Sequence, residues 1–233
     1  MTSKVARGET AAKNLRPAWH RALSALVGAT GARALIDKMI GLEPIQWLRV
    51  IQQQEIQSWL DELPAEDLDV LEISGDEWRD ARPWKTHRTA NFPAFDVCDQ
   101  PLEERFDLII ADQVFEHLDR PYRAAGNVLS MLRPGGRFLI STPFLVRVHE
   151  FPIDCTRWTE DGLRHFLGEA GFPLDRIKTG SWGNRACVKA NFSCWMGYRS
   201  RFHSLRNEPN FPITVWAMAT NASPSDSTTE NSR

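Results

Sequence analysis

Two histidines stand just beyond apolar runs of this 233-residue chain: His117 follows FDLIIA within ADQVFEHL, and His149 follows RFLISTP within PFLVRVHEFPID. Histidine exchanges a proton near neutrality, so either could serve as a base toward an acidic or hydroxyl group held nearby. The plainer alternatives are that His117 caps a helix and that His149 packs beside Pro152. Other polar residues sit at the ends of the same kind of run. DVLEIS carries Glu72 and Ser74 and is followed by Gly75; Asp112 and Gln113 follow FDLIIA; Phe144 follows RFLISTP. Asp154 and Arg157 come shortly after His149.

The runs that must position these residues are continuous apolar stretches, of the kind buried in a parallel sheet. Between the last two, PYRAAGNVLSML reads as a helix that starts after Asp119, with Pro121 in its first turn, and stops at RPGG. Strand, connection, strand, helix, strand is the rhythm of an open α/β sheet, and ligands of such sheets bind beyond the carboxyl ends of the strands. The residues named above therefore should converge on one crevice. Downstream, LDRIKTGSWGNRACVKANF reads as a strand, a loop and a helix, and the alternating NFPITVWAMAT as a final strand. Upstream, residues 15 to 63 read as two or three amphipathic helices punctuated at Gly28, Gly31, Gly41 and Pro44, with Trp19, Trp47 and Trp59 as packing anchors. The tail NASPSDSTTENSR is small and polar, and disorder is expected there.

Composition narrows the function by exclusion. The chain is 42% hydrophobic and 25% charged, and 28 basic against 30 acidic residues give a net charge of -2. That balance offers no electrostatic case for nucleic acid or an acidic membrane. No apolar run approaches the roughly 18 residues of a membrane span. The charged opening MTSKVARGETAAKNLRP has no hydrophobic signal region, so a cytoplasmic protein is expected. Cys98, Cys155, Cys187 and Cys194 form no C-x-x-C pair and are expected to be free thiols.

The segment FDLIIADQVFEHLDRPYRAAGNVLSMLRPGGRFLISTPF resembles the class I S-adenosylmethionine-dependent methyltransferases of the methyltransferase type 11-like group, with its FD-apolar-x-x-x-VxEHL segment and LxPGG turn. HEFPIDCTRWTEDGLRHFLGEAGF is similar to the continuation in a subset of that group, H-x-x-P-x-D-x-x-R-x-T followed by a helix ended by AGF. The resemblance spans about residues 69 to 180. It implies a Rossmann-like α/β sheet in the order 3-2-1-4-5-7-6 with its last strand antiparallel. The expected organisation is then a flexible N-terminus over 1–14, a helical cap over 15–68, the methyltransferase-like domain over 69–220 and a disordered tail over 221–233.

The same resemblance implies S-adenosylmethionine as cofactor. Glu72, Ser74 and Gly75 stand at the first loop, Asp96 on the third strand where adenine is contacted, and Asp112 and Gln113 where the fourth strand opens into the pocket. The family's first loop is typically E/D-x-G-x-G-x-G. Here it is Glu72-Ile73-Ser74-Gly75-Asp76-Glu77-Trp78, with one glycine kept, and Asn91 stands nearest to the family's ribose-binding acid. Two functions follow: methyl transfer to a small or carbohydrate-type acceptor, or an inactive scaffold or regulatory module on the same fold. In the first, His149 or His117 is the base, and Asp154, Arg157 and Trp158 are the substrate candidates. Gln113-x-x-Glu116-His117 with His149 also resembles the E-x-x-E-H and distant His of small-RNA 2'-O-methyltransferases, which use a divalent ion. The neutral Gln113 is a poor ligand for a hard cation, and no metal is expected. SCWMGYRSRFHSLRNEP, with Trp195, Tyr198, Arg199, Arg201 and His203, could receive the acceptor or pair two subunits as a homodimer; a packed excursion is the simplest reading.

Overall fold

The computed structural model describes residues 38, 39, 41–150 and 152–223. The chain divides into two compact units, residues 1–42 with 199–202, and residues 43–198 with 203–233. In the smaller, Ser200 N donates to Gly41 O at 2.9 Å. Residues 15–37 and 40 of the cap expected over 15–68 lie outside the described residues, Trp19 among them, as does the tail beyond residue 223.

The larger unit is built on a six-stranded sheet. Its strands are β2 (Asp69–Ile73), β3 (Thr86–Ala90), β4 (Phe106–Asp112), β5 (Leu132–Pro143), β6 (Ile177–Trp182) and β8 (Thr214–Thr220), in the order β3-β2-β4-β5-β8-β6. Strands β3, β2, β4 and β5 run parallel, and β8 is antiparallel to both of its neighbours. A second sheet pairs β1 (Leu42–Gln46) with β7 (Gly197–Arg199).

The continuous apolar runs are explained by burial on both faces. Leu71, Ile73, Ile109, Ala111, Phe138 and Ile140 point into one core cluster, while Val70, Leu108, Ile110 and Leu139 point into the other. Side chains alternate along a strand, so a strand covered twice needs apolar residues at every position. Helices α2 (Pro121–Met131) and α3 (Glu160–Glu169) cover the first face through Ala124, Ala125, Val128, Leu163 and Phe166. Helices α1 (Val50–Asp61) and α4 (Arg185–Ala190) cover the second through Ile56, Trp59, Leu60, Cys187 and Val188. Trp47 and Trp59 are buried there.

Local signals act where the sequence places them. Pro121 opens α2, where its missing N–H costs nothing. Thr159 caps α3, its hydroxyl accepting from Gly162 N at 3.0 Å, and Gly171 follows the helix at φ 110°. RPGG does not merely stop α2; it lies within β5, whose register against β4 shifts between Phe106 and Leu108. All four cysteines are free.

The α/β class, the mainly parallel sheet and the antiparallel final strand are as the sequence implied, with one difference at the edge. No strand lies outside β3 among the described residues, so Asp96 is not on a third strand. Residues 91–105 are turns and irregular chain. Phe95 N bonds to Asn91 O and Asp99 N to Asp96 O, both at 3.0 Å. Pro93 and Pro101 flank a segment with too few consecutive apolar residues for a strand, and proline cannot complete a ladder. Val97 and Cys98 still pack into the core.

Candidate active site

A cleft of about 590 Å³ opens beyond the carboxyl ends of β2, β3 and β4. Ser74, Gly75 and Asp76 form one wall, Thr89 and Asn91 continue it, and Phe92, Phe95, Asp96 and Val97 close the far side. Ile73, Gln113, Val114, His117, Leu118 and Pro152 complete the lining. The turns that shape the cleft are demanding. Ser74 and Gln113 both hold positive φ, 58° and 59°, a conformation rarely adopted by residues with a Cβ. Each is tied to a neighbouring strand: Ser74 N donates to Ala90 O and Gln113 N to Ser141 O, both at 3.0 Å. Such backbone persists where surrounding structure over-determines it, and it clusters at ligand sites.

The remaining glycine has a local reason. A Cβ on Gly75 would stand 2.9 Å from Glu72 Oε1. Glu72 is buried below the loop, its Oε2 accepting from Trp78 N at 3.2 Å and lying 3.0 Å from His87 Nε2. Burial pushes its carboxyl up to about 7, against the amides of Trp78 and Glu77, which favour the charged form. The His87 imidazole is lowered, chiefly by its own burial, which favours its neutral form. Glu72 supports the Ser74–Trp78 loop from beneath and does not line the cleft.

Asp112 is likewise a support. Its carboxylate accepts from Arg49, from Gln52 Nε2 at 3.0 Å, from Trp78 Nε1 at 3.1 Å and from the Ser141 hydroxyl. Gln52, fully buried, also donates to Ser141 Oγ at 3.0 Å and accepts from Thr214 Oγ1 at 2.6 Å. This network ties α1 and the loop through Trp78 to the ends of β4, β5 and β8. Gln113 does reach the cleft, with its amide anchored on Ser141 Oγ at 2.9 Å.

Beyond β4, the imidazole end of the cleft is assembled from two segments. Glu116 and His117 lie in a 3-10 turn, Phe115–His117. The segment from His149 to Arg157 returns across it, with Cys155 N donating to Glu116 O at 2.7 Å. His117 Nδ1 donates to Ile153 O. The two imidazole rings are 5.0 Å apart, edge to face at 80°. His149 is bracketed on another side by Trp195, 5.2 Å away at 88°, over which Arg147 lies at 4.4 Å. His149 N donates to Asp154 at 2.9 Å, and Asp154 takes both Arg157 nitrogens. Burial alone would raise the Asp154 carboxyl, but the Arg157 guanidinium holds it below its ordinary value. Burial lowers the His149 imidazole, with Arg157 and His117 adding to the effect against Asp154, so the ring is neutral at pH 7.

Of the residues expected from sequence, Ser74, Gly75, Asn91, Asp96, Gln113 and His117 line one cleft. Glu72 and Asp112 lie under it. His149 stands against His117 without lining the main cavity, and Asp154 and Arg157 pair with each other. Trp158, expected as a substrate candidate, is packed in the core, 4.8 Å from the Phe166 ring. Sequence reading missed Trp78, Arg49 and Gln52, whose role is set by contacts across long separations. In the 193–209 segment, Trp195 flanks His149 and His203 stacks on Trp47 at 4.0 Å, while Arg199 and Arg201 belong to the smaller unit.

Comparison with known proteins gives the fold a context. The family model described as a methyltransferase domain matches residues 23–176. No curated protein matches the chain in sequence. Among solved structures, an S-adenosylmethionine dependent methyltransferase from Mesorhizobium loti is 16% identical, with 75% of this chain and 100% of that one covered and a TM-score of 0.48. A phosphoethanolamine N-methyltransferase 2 from Haemonchus contortus, solved with phosphomonomethylethanolamine and S-adenosylhomocysteine, is 12% identical, with 87% and 60% covered and a TM-score of 0.50. A SAM dependent methyltransferase from Archaeoglobus fulgidus is 12% identical, with 72% and 94% covered and a TM-score of 0.46. Among the described residues, no helix is long and apolar enough to cross a membrane.

Proposed function

This chain belongs to the class I methyltransferase-domain family, and from that premise we propose that it transfers a methyl group from S-adenosylmethionine to a small or carbohydrate-type acceptor. The observation that carries the reading is the cleft itself. Its volume falls within the range of about 300–1,000 Å³ usual for a cofactor-sized ligand. Its walls combine a close-approach loop, apolar faces and a few fixed polar groups.

The residues present fit the cofactor. Phe95, Val97 and Val114 offer apolar surface for a flat base. Asp96 has one carboxylate oxygen fixed by Cys98 N at 2.8 Å, which orients the side chain and leaves the other oxygen to accept from an amino group. Asn91 can hydrogen-bond a diol without charge. The Ser74–Gly75 backbone permits a ligand's polar end to lie close.

When bound, S-adenosylmethionine supplies an electrophilic methyl on a sulfonium, and what the protein must add is alignment of the nucleophile. His117 lines the cleft together with Leu118 and Pro152, which supports taking that end as the acceptor side. An imidazole there, His149 or His117, can take the proton of an acceptor hydroxyl.

A second reading has one observation in its favour: Gly75 answers to Glu72 beneath it, so its retention does not by itself require a ligand. On that reading the fold is kept as a scaffold or regulatory module. Calorimetric titration of the full chain with S-adenosylmethionine and with S-adenosylhomocysteine tests the two. Micromolar binding is expected for the enzyme, and absence of binding to a folded sample favours the scaffold.

A further inference from the structure

One side chain at the imidazole end lacks the partners its position calls for. Glu116 is fully buried, yet neither of its carboxylate oxygens has a hydrogen-bond partner. Buried polar groups are almost always paired, and a buried carboxylate needs a cation beside it. Arg157, whose charge acts on Glu116, is committed to Asp154. What faces Glu116 instead is imidazole: His117 Nε2 lies 3.6 Å from Glu116 Oε1.

That separation is too long for a hydrogen bond. It is close to the distance of about 3.4 Å between two ligands held tetrahedrally at about 2.1 Å from one metal ion. The ring is also oriented for ligation. His117 Nδ1 donates to the Ile153 carbonyl, so its proton is on Nδ1 and Nε2 presents a lone pair. His149 adds a second imidazole, with Nδ1 3.2 Å from Asp154 Oδ2 and 3.3 Å from Arg157 Nη2. In the tautomer whose Nδ1–H faces Asp154, Nε2 is left as a donor, the carboxylate–histidine arrangement that commonly backs a metal ligand. One ligand atom from each of Glu116, His117 and His149 lies within 4.8 Å of the others.

We propose that Glu116, His117 and His149 bind one divalent first-row transition-metal ion at the edge of the cleft. Two imidazoles and one carboxylate suit zinc, cobalt, iron or manganese and are a poor set for calcium or magnesium. Gln113 has no part in it, because its amide is anchored on Ser141. Three protein ligands leave a position open, and His117 lines the cleft, so that position is available to an oxygen of the acceptor. An ion there would lower the pKa of a bound hydroxyl, which gives the two histidines a joint role as ligands in place of a single free base. This use of the ion rests on the methyl-transfer reading; the binding of the ion does not.

The test is cobalt(II) titration of the untagged, chelator-treated full chain, read by visible absorption, with zinc(II) as competitor. One equivalent of cobalt should give the d–d bands of a four- or five-coordinate nitrogen–oxygen site, and zinc should displace it. Glu116→Gln and His149→Ala should each weaken binding ~10-fold or more. Cys155→Ser, which removes the exposed thiol beside Glu116, should leave it unchanged. Circular dichroism of each variant establishes that it is folded. S-adenosylhomocysteine titration of the same metal-free chain reports the cofactor reading separately, so either can fail without the other. No stoichiometric cobalt binding by the wild-type chain overturns the site, as does binding that survives in a folded Glu116→Gln/His117→Ala variant or that disappears in Cys155→Ser.

Discussion

Three buried carboxylates lie at the strand ends around the cleft, and they are treated in opposite ways. Glu72 and Asp112, under the Ser74–Trp78 loop, are enclosed by donors from distant parts of the chain. Glu116, at the imidazole end, is enclosed by nothing that donates to it. Partnered carboxylates of the first kind fix a shape. A carboxylate of the second kind stores an unmet demand, which a ligand can satisfy. The loop end is thus internally satisfied, and the imidazole end leaves Glu116 without a partner.

Substitution should separate the two ends sharply. Asp112→Ala would strand Arg49, Gln52, Trp78 and Ser141 without their common acceptor, and a broken buried charge pair typically costs about 3–5 kcal/mol. Urea denaturation should report a loss in that range. Glu116→Gln in the metal-free chain should instead cost little, because burial pushes the Glu116 carboxyl up to about 8, mostly uncharged at pH 7, and there is no hydrogen bond for the amide to lose; equal losses at the two sites would erase the contrast between them. Gly75→Val comes next in size. Its new side chain must displace Glu72 Oε1, so both the melting temperature and cofactor affinity should fall, with affinity falling further.

The pH dependence offers a finer discrimination. Glu72 titrates at about 7 in the folded chain, raised by burial from its ordinary 4.5. The folded state therefore binds the proton more tightly than the unfolded state. Its contribution is complete below about 4.5 and is lost as pH rises through about 7. The Trp78 and Glu77 amides, the Glu77 and Asp112 charges and the neutral His87 ring are the groups that face it. Wild-type stability relative to Glu72→Gln should fall across that window in urea melts. A pH-independent difference would mean that Glu72 is not buried as a neutral acid.

Much of this was legible because the signals were local. Continuous apolar runs announced strands covered on both faces, Pro121 announced the start of α2, and the residues after each strand end were the ones to inspect. Where sequence reasoning went astray, the cause lay in distant contacts. Asp112 looked like a ligand-facing acid because nothing near it in sequence reveals Arg49 and Gln52. Asp96 was assigned to a strand by analogy, although Pro93 and Pro101 leave that segment to turns; it lines the cleft all the same. Trp158 follows Asp154 and Arg157 so closely that it read as part of one site, yet α3 draws it into the core. The lack of partners at Glu116 has no sequence signature, since it is visible only when every neighbouring donor has been placed.

The central claim, that the cleft between the Ser74 loop and Asp96 holds S-adenosylmethionine, is tested most directly by comparing wild-type and Asp96→Ala binding of S-adenosylhomocysteine. If the free Asp96 oxygen accepts from the adenine amine, the variant should lose about 1–3 kcal/mol of affinity, roughly 5- to 150-fold, while circular dichroism shows that it is still folded. Equal affinity in the two would contradict the claim, and so would a folded wild-type chain that binds neither S-adenosylmethionine nor its demethylated product.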